Sequence, residues 1–334
     1  MKKVRNIDDL IGKIRRTLAS HKIEDGVYTR WLWDYETKEK IFEPNPYGSA
    51  DAANIRYTIG DMPTSDKERN AFVRTLGGFQ NKEDGLFYEK THHVFHCTAH
   101  TIGALELFDA HPPHTVLGVL PYAEPKKIEA LLESLDWKEL KGTGHIAAGI
   151  FSSLVNTKNA SAAFYDAFFG YFDRNVDRAY GIGVKGAVES AVRPLWHHMG
   201  DWFHILFCYY ALRRKFPSPE PLIDSCISLF RENGLPENFG KMCGFLEIDL
   251  IFTLNRASMQ SGYRREDAVE VIREIADAYI SYLEDLDEKT HDYWNDLHLL
   301  FGAVCALSEI QIALPGEIIS THPLRQVLDR RPFI

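Results

Sequence analysis

Gly77-Gly-Phe-Gln-Asn-Lys-Glu-Asp-Gly-Leu-Phe87, followed closely by Thr98-Ala-His-Thr-Ile-Gly-Ala-Leu-Glu-Leu-Phe108, decides the fold. Asp84-Gly85 allows a tight turn, because glycine tolerates backbone angles that other residues avoid. The second segment is apolar or small on nearly every side. At 3.6 residues per turn it has no polar face to offer water, so it predicts a buried helix. Upstream, Ser65-Asp-Lys-Glu68 has the pattern of a capping box and opens a charged amphipathic helix over 65–76. Surface helix, turn and buried helix form one unit.

The unit recurs along the chain. Amphipathic segments near 7–20, 65–76, 123–135, 158–177, 219–233 and 264–286 alternate with apolar ones near 50–60, 92–109, 143–155, 196–214, 243–257 and 292–311. Arg264 to Leu286 is the clearest amphipathic case. Its Ala268, Val271, Ile272, Ile275, Ala276, Tyr279 and Ile280 follow i, i+3, i+4 spacing. Anchored on Asp51, His96, His145, Asp201, Glu247 and Asp296, the apolar segments recur, by subtraction, at intervals of 45, 49, 56, 46 and 49 residues. Such a period marks a repeat array. A length of 334 residues would otherwise suggest two domains. The expectation is instead one all-α domain over 1–334, an (α/α)6 toroid with amphipathic helices outside and apolar helices inside. Short strands are expected only in loops.

The quoted stretch also resembles the repeat of the α/α-toroid superfamily, which includes protein prenyltransferases, squalene-type cyclases and linalool dehydratase. In those repeats a Gly-Phe, a Gln and an Asp-Gly-aromatic turn precede an inner helix rich in Ala and Leu. The likeness covers one repeat well and the others in period. It implies the fold rather than the activity. The cyclase motif Asp-x-Asp-Asp is absent, and the Asp, Cys and His zinc ligands of prenyltransferases find no matching positions. In architecture and length the chain is also similar to six-hairpin glycosidases, such as unsaturated glucuronyl and rhamnogalacturonyl hydrolases, and to epimerases of the N-acylglucosamine type.

Composition excludes several classes. The formal net charge is −9, and no basic run is longer than Arg213-Arg214-Lys215, so nucleic acid and anionic membrane surfaces are not expected partners. No apolar run approaches the roughly 20 residues that span a bilayer. The start of the chain lacks the apolar stretch of a signal peptide, so a cytoplasmic location is expected. Cys97, Cys208, Cys226, Cys243 and Cys305 are odd in number and far apart, which predicts reduced, buried thiols. The oligomeric state is not legible.

The functional signal lies where the apolar helices begin. These starts carry Asp51 and Asn54; His92, His93, His96 and His100; His145; His197, His198, Asp201 and His204; Glu247 and Asp249; Asn295, Asp296 and His298. In a closed array they face one end of a central cavity. His197, Asp201 and His204 fall at i, i+4 and i+7, on one helical face. A carboxylate beside imidazoles suits general acid–base work. Asp201, His197, His204, Glu247 and Asp296 are therefore the expected catalytic residues. Asp51, Asn54, Tyr57, His93, His96, His100, His145, His198, Asp249, Asn295 and His298 are expected to bind substrate, with Trp196 and Trp202 as a flat wall. Glu247 and Asp249 point about 200° apart on a helix, so at most one should face the cavity. Trp31, Trp33, Tyr35, Tyr47 and Tyr57 are candidates for a rim at its mouth.

His93, His96 and His100 share a face and raise the question of a metal. No H-E-x-x-H pattern is present, and one helix rarely offers three ligands, so no metal or cofactor is expected. Gly181-Ile-Gly-Val-Lys-Gly186 fits a dinucleotide fingerprint by letter but follows no predicted strand. Asn159-Ala-Ser161 reads as a helix start. The expected function is an enzyme acting on a carbohydrate-like, polyhydroxylated small molecule or oligosaccharide, first as a glycoside or unsaturated uronyl hydrolase. The alternatives are a sugar epimerase, lyase or hydratase, a terpenoid cyclase or dehydratase, and a non-catalytic binding toroid.

Overall fold

The computed structural model describes residues 4–140, 142–189, 193–234 and 246–332. The described residues are mostly helical, with 60% of them in helix, 13 α-helices in all, and only minor strands. Six helices match the apolar segments: α2 (Pro46–Thr58), α4 (Val94–Glu106), α6 (Thr143–Asn156), α8 (Leu195–Ala211), α10 (Leu246–Ser261) and α13 (Leu297–Ala313). Six match the amphipathic segments: α1 (Asp8–His21), α3 (Asp66–Gly78), α5 (Pro125–Ser134), α7 (Ala162–Asn175), α9 (Pro219–Asn233) and α11 (Arg265–Asp285). A single turn, α12 (Asp292–Asn295), precedes α13. Cys243 lies outside the described residues; the other four cysteines are free and buried.

Sequence explains where these helices start. Ser65 caps α3 by accepting from the Glu68 amide, and Ser161 of Asn159-Ala-Ser161 caps α7 by accepting from the Phe164 amide. The turn before each inner helix is built one way. The Asn81 carbonyl accepts from the amide of Gly85, four residues on, and its side chain accepts from Glu83, two residues on. The same pair of bonds forms at Asp34, Asp136, Asp177 and Asp287. In the fifth hairpin this place falls outside the described residues. Gly181 of the fingerprint look-alike is position five of the Asp177 turn. The glycine at the same place in the quoted stretch, Gly85, has φ +73°, and a Cβ there would lie 2.0 Å from the Thr115 carbonyl oxygen. Gln80 of that stretch ties the turn down, donating to the carbonyls of Gly85 and His114.

Consecutive inner helices pack on one another: α2 on α4, α4 on α6, α6 on α8, and α8 on α10. α10 packs on α13, and α13 packs back on α2. Outer helices cover them, with α9 and α11 on α10 and α3 on α2 and α4. The core fills the space between the two sets. Phe151, Phe164, Phe168 and Phe169 form one ring cluster there, with Phe169 edge-on to Phe151 and Phe168, and Phe164 stacked on Phe168. Two small sheets complete the fold. β1 (Arg5–Asn6) pairs in parallel with β4 (Ile318–Ile319), and β2 (Lys22–Glu24) pairs antiparallel with β3 (Val27–Tyr28). No described helix is long and apolar enough to cross a membrane.

Candidate functional site

The N-terminal halves of α4, α6, α8, α10 and α13 line a cavity of about 600 Å³, a size that suits a small organic ligand. Its polar lining residues are His92, His96, His145, His197, Asp201, His204, Asp249 and His298. Its apolar ones include Leu140, Phe203, Ile248, Phe301 and Leu328, with Phe301 stacked on His298 and Phe203 edge-on to His204, and Arg193 adds an exposed cation. The floor comes from the segment 324–332. Leu328 lines the cavity, and the buried Arg331 behind it donates to the Gly103 carbonyl of α4 and to Asn54 Oδ1 of α2.

Three of the lining imidazoles meet, each from a different helix. His96 (α4) and His145 (α6) have ring centroids 4.4 Å apart, and His145 and His204 (α8) 4.6 Å. One nitrogen of each lies within 4.8 Å of the others. Burial pushes the His204 imidazole down to about 4. Burial, with neighbouring imidazoles adding to it, holds His96 and His145 well below the usual histidine range. All three are neutral at pH 7. The Tyr47 hydroxyl bonds His96 Nδ1, and His204 Nδ1 lies 3.1 Å from the Gly200 carbonyl oxygen.

Behind them sits a second, closed group. Asp51 Oδ1 on α2 accepts from His100 Nε2 at 2.8 Å and from His298 Nδ1 at 2.9 Å. Burial alone would raise this carboxyl. His298 and His100 outweigh burial and hold it well below the carboxylate range. Burial takes His298 down to about 4 against the opposing pull of Asp51. Tyr47 packs into the same group, stacked on His92 at 4.7 Å and on His100 at 4.8 Å, and edge-on to His298 at 4.6 Å.

The carboxyls form the third part. Asp201 Oδ1 accepts from the Gly144 amide in the first turn of α6 at 2.9 Å, while Oδ2 is buried with no hydrogen-bond partner. Burial raises its carboxyl to about 7, against the pull of the Gly144 bond. Asp249 is held well above its ordinary value by burial and then by repulsion from Glu247 and Asp201. A proton is therefore available on this pair near neutrality.

The structure brings His96, His145, His197, Asp201, His204, Asp249 and His298 to the cavity and places the other expected residues elsewhere. Of the pair on α10, Asp249 lines the cavity and Glu247 does not, as their divergence requires. Asp296 is the N-cap of α13, holds the buried Arg30 through both carboxylate oxygens and does not line the cavity. Asn295 binds the backbone of Leu32 and Trp33. Asn54 and Tyr57 lie toward the C-terminal end of α2, against Arg331 and Arg325. His93 turns aside to cap α4, accepting from Phe95. Trp202 does not wall the cavity; it packs edge-on against Trp137 and Phe172, between hairpins. Trp196 and His198 are buried outside the lining. Asp51 and His100 stand one layer behind it.

Arg193 and the apolar lining residues were missed; His92 was placed at the cavity without a role, and Tyr47, expected at a rim, packs among the histidines instead. A signal for Tyr47 exists: it precedes Asp51 by four residues, on the same face of α2. His92 sits at the start of α4 beside the chosen histidines. The apolar lining carries no signal, because its residues resemble any other core residue. Comparison with family models, curated proteins and solved structures found no match.

The buried imidazoles make stability depend on pH. His21, His96, His145, His204 and His298 all titrate below 6.5 when folded. The unfolded chain therefore binds protons first as pH falls, and the native state loses stability between about 6.5 and 4. Asp201 and Asp249 work the other way, since the folded state takes up their protons first. Five groups against two leave a net loss. Each unopposed imidazole contributes about 1.4 kcal/mol per pH unit at most. Urea midpoints should fall steadily from pH 7 to 5. A midpoint that rises toward acid would contradict this placement.

Proposed function

We propose that the protein is an enzyme that breaks or forms a carbon–oxygen bond of a small hydroxylated substrate by general acid–base catalysis in this cavity. The six hairpins are read as an (α/α)6 toroid forming a single domain, supported by the packing of α13 back onto α2. The observation that carries the functional reading is the pair Asp201 and Asp249. Both carboxyls line one cavity, Asp249 buried and Asp201 half-buried, and neither forms an ion pair among the described residues. Two such groups share protons unevenly, so one can donate while the other accepts.

Hydrolysis of a glycosidic or unsaturated uronyl bond is the first form of this reaction. One carboxyl protonates the leaving oxygen and the other activates water. Arg193 and five helix N-termini around the cavity favour a substrate carrying negative charge, which suits a uronide. Elimination or hydration of an alcohol is the second form. It is favoured by the apolar lining residues Phe203, Ile248 and Phe301, and by the absence of tryptophan from the lining.

The test is turnover of a panel of unsaturated uronides, aryl glycosides and hydroxylated alkenes. Asp201→Asn and Asp249→Asn should each lower kcat by about 10²- to 10⁴-fold with the fold retained. No turnover across the panel, or full activity in both variants, overturns the reading.

A further inference from the structure

We infer that His96, His145 and His204 form a binding site for one divalent first-row transition-metal ion of the zinc class, open toward the cavity. This inference goes beyond the acid–base reading and does not depend on it.

Three nitrogens from α4, α6 and α8 lie within 4.8 Å of one another. Zinc–imidazole bonds of about 2.0–2.1 Å place the donors of a tetrahedral ion roughly 3.3–3.5 Å apart, so small side-chain movements close the site. Bringing three imidazoles together without an acidic partner or mutual hydrogen bonds has no structural benefit of its own. Imidazole suits this class of metal, and three protein ligands leave a fourth position for water or substrate.

The surrounding contacts fit ligation. The bonds of His96 Nδ1 to the Tyr47 hydroxyl and of His204 Nδ1 to the Gly200 carbonyl leave Nε2 of each imidazole as the metal-binding atom. Outer hydrogen bonds of this kind fix the tautomer of metal-bound histidines.

The second cluster, Asp51, His100 and His298, does not share these properties. Its nitrogens already sit at hydrogen-bond distance from one carboxylate oxygen, 2.8 and 2.9 Å, which leaves no room for an ion between them. The comparison locates the metal at the histidine trio.

The experiment is calorimetric titration of chelator-treated, full-length protein with ZnCl2, followed by X-ray absorption of the zinc-loaded protein. One equivalent should bind, with a first shell of three imidazole nitrogens. His145→Ala and His204→Ala should each weaken binding by at least 100-fold. His93→Ala, the cap of α4, should leave it unchanged. Asp201→Asn should also retain the ion, so loss of turnover in that variant tests the carboxyl pair alone. Absence of stoichiometric binding overturns the inference, as does a shell with fewer than two imidazoles. The absorption measurement uses the unaltered protein and decides the matter even if the histidine variants fail to fold.

Discussion

Asp51→Ala should destabilise the protein by about 2–6 kcal/mol, the usual result of taking the acceptor from two buried donors. Asp51 has no exposed surface, and its Oδ1 receives hydrogen bonds from His100 and His298. Alanine removes the acceptor of both bonds inside the fold. Each lost bond costs about 1–3 kcal/mol, and the cavity left behind adds to that. Asp51→Asn should cost much less, because the amide oxygen can still accept both bonds. Guanidinium denaturation of the two variants, compared at pH 7, checks both the size and the order. An alanine variant within 1 kcal/mol of the parent would show that the network does not hold α2, α4 and α13 together.

The second large effect is expected at Gly149. A Cβ there would lie 2.6 Å from both the carbonyl carbon and the oxygen of Phe95, and 2.8 Å from the His96 amide nitrogen. These are backbone atoms of α4, so no side chain can swing aside. Gly149→Ala must push α6 away from α4, at a cost of about 1–3 kcal/mol or more. That outweighs the up to 1 kcal/mol that alanine gains over glycine in a helix. The melting temperature should fall by several degrees. The same displacement separates His145 from His96, so activity should fall further than stability accounts for. An unchanged melting temperature would mean that the two helices are not pinned at this contact.

Much of the helix pattern was legible, because it rests on local rules. Ser65 and Ser161 cap where their residue types predict, and the apolar segments are buried because they have no polar face. The Asp34, Asp136 and Asp287 turns were harder to see, because only the Asn81 and Asp177 turns carry glycine at the fifth position. The site was legible in residue type and not in direction. His93 and His96 are three residues apart and look equivalent, yet His93 lies at the helix start and is drawn into capping. Asp296 and Asp201 are both carboxylates near helix starts. Asp296 meets Arg30, 266 residues away, a pairing that no local pattern announces. Trp202 faces outward because its helix must present one side to α7 and the other to the cavity. The histidine trio was hidden for a related reason. Spacing shows which residues share a face of one helix, whereas the trio takes one histidine from each of three.

The segment 324–332 ties the last described stretch of chain to the cavity. Leu328 lines it, and Arg331, three residues on, bonds the Gly103 carbonyl of α4 and Asn54 of α2. Residues more than 220 positions apart in sequence are thus joined next to the cavity, so its shape is complete only once nearly the whole chain has folded.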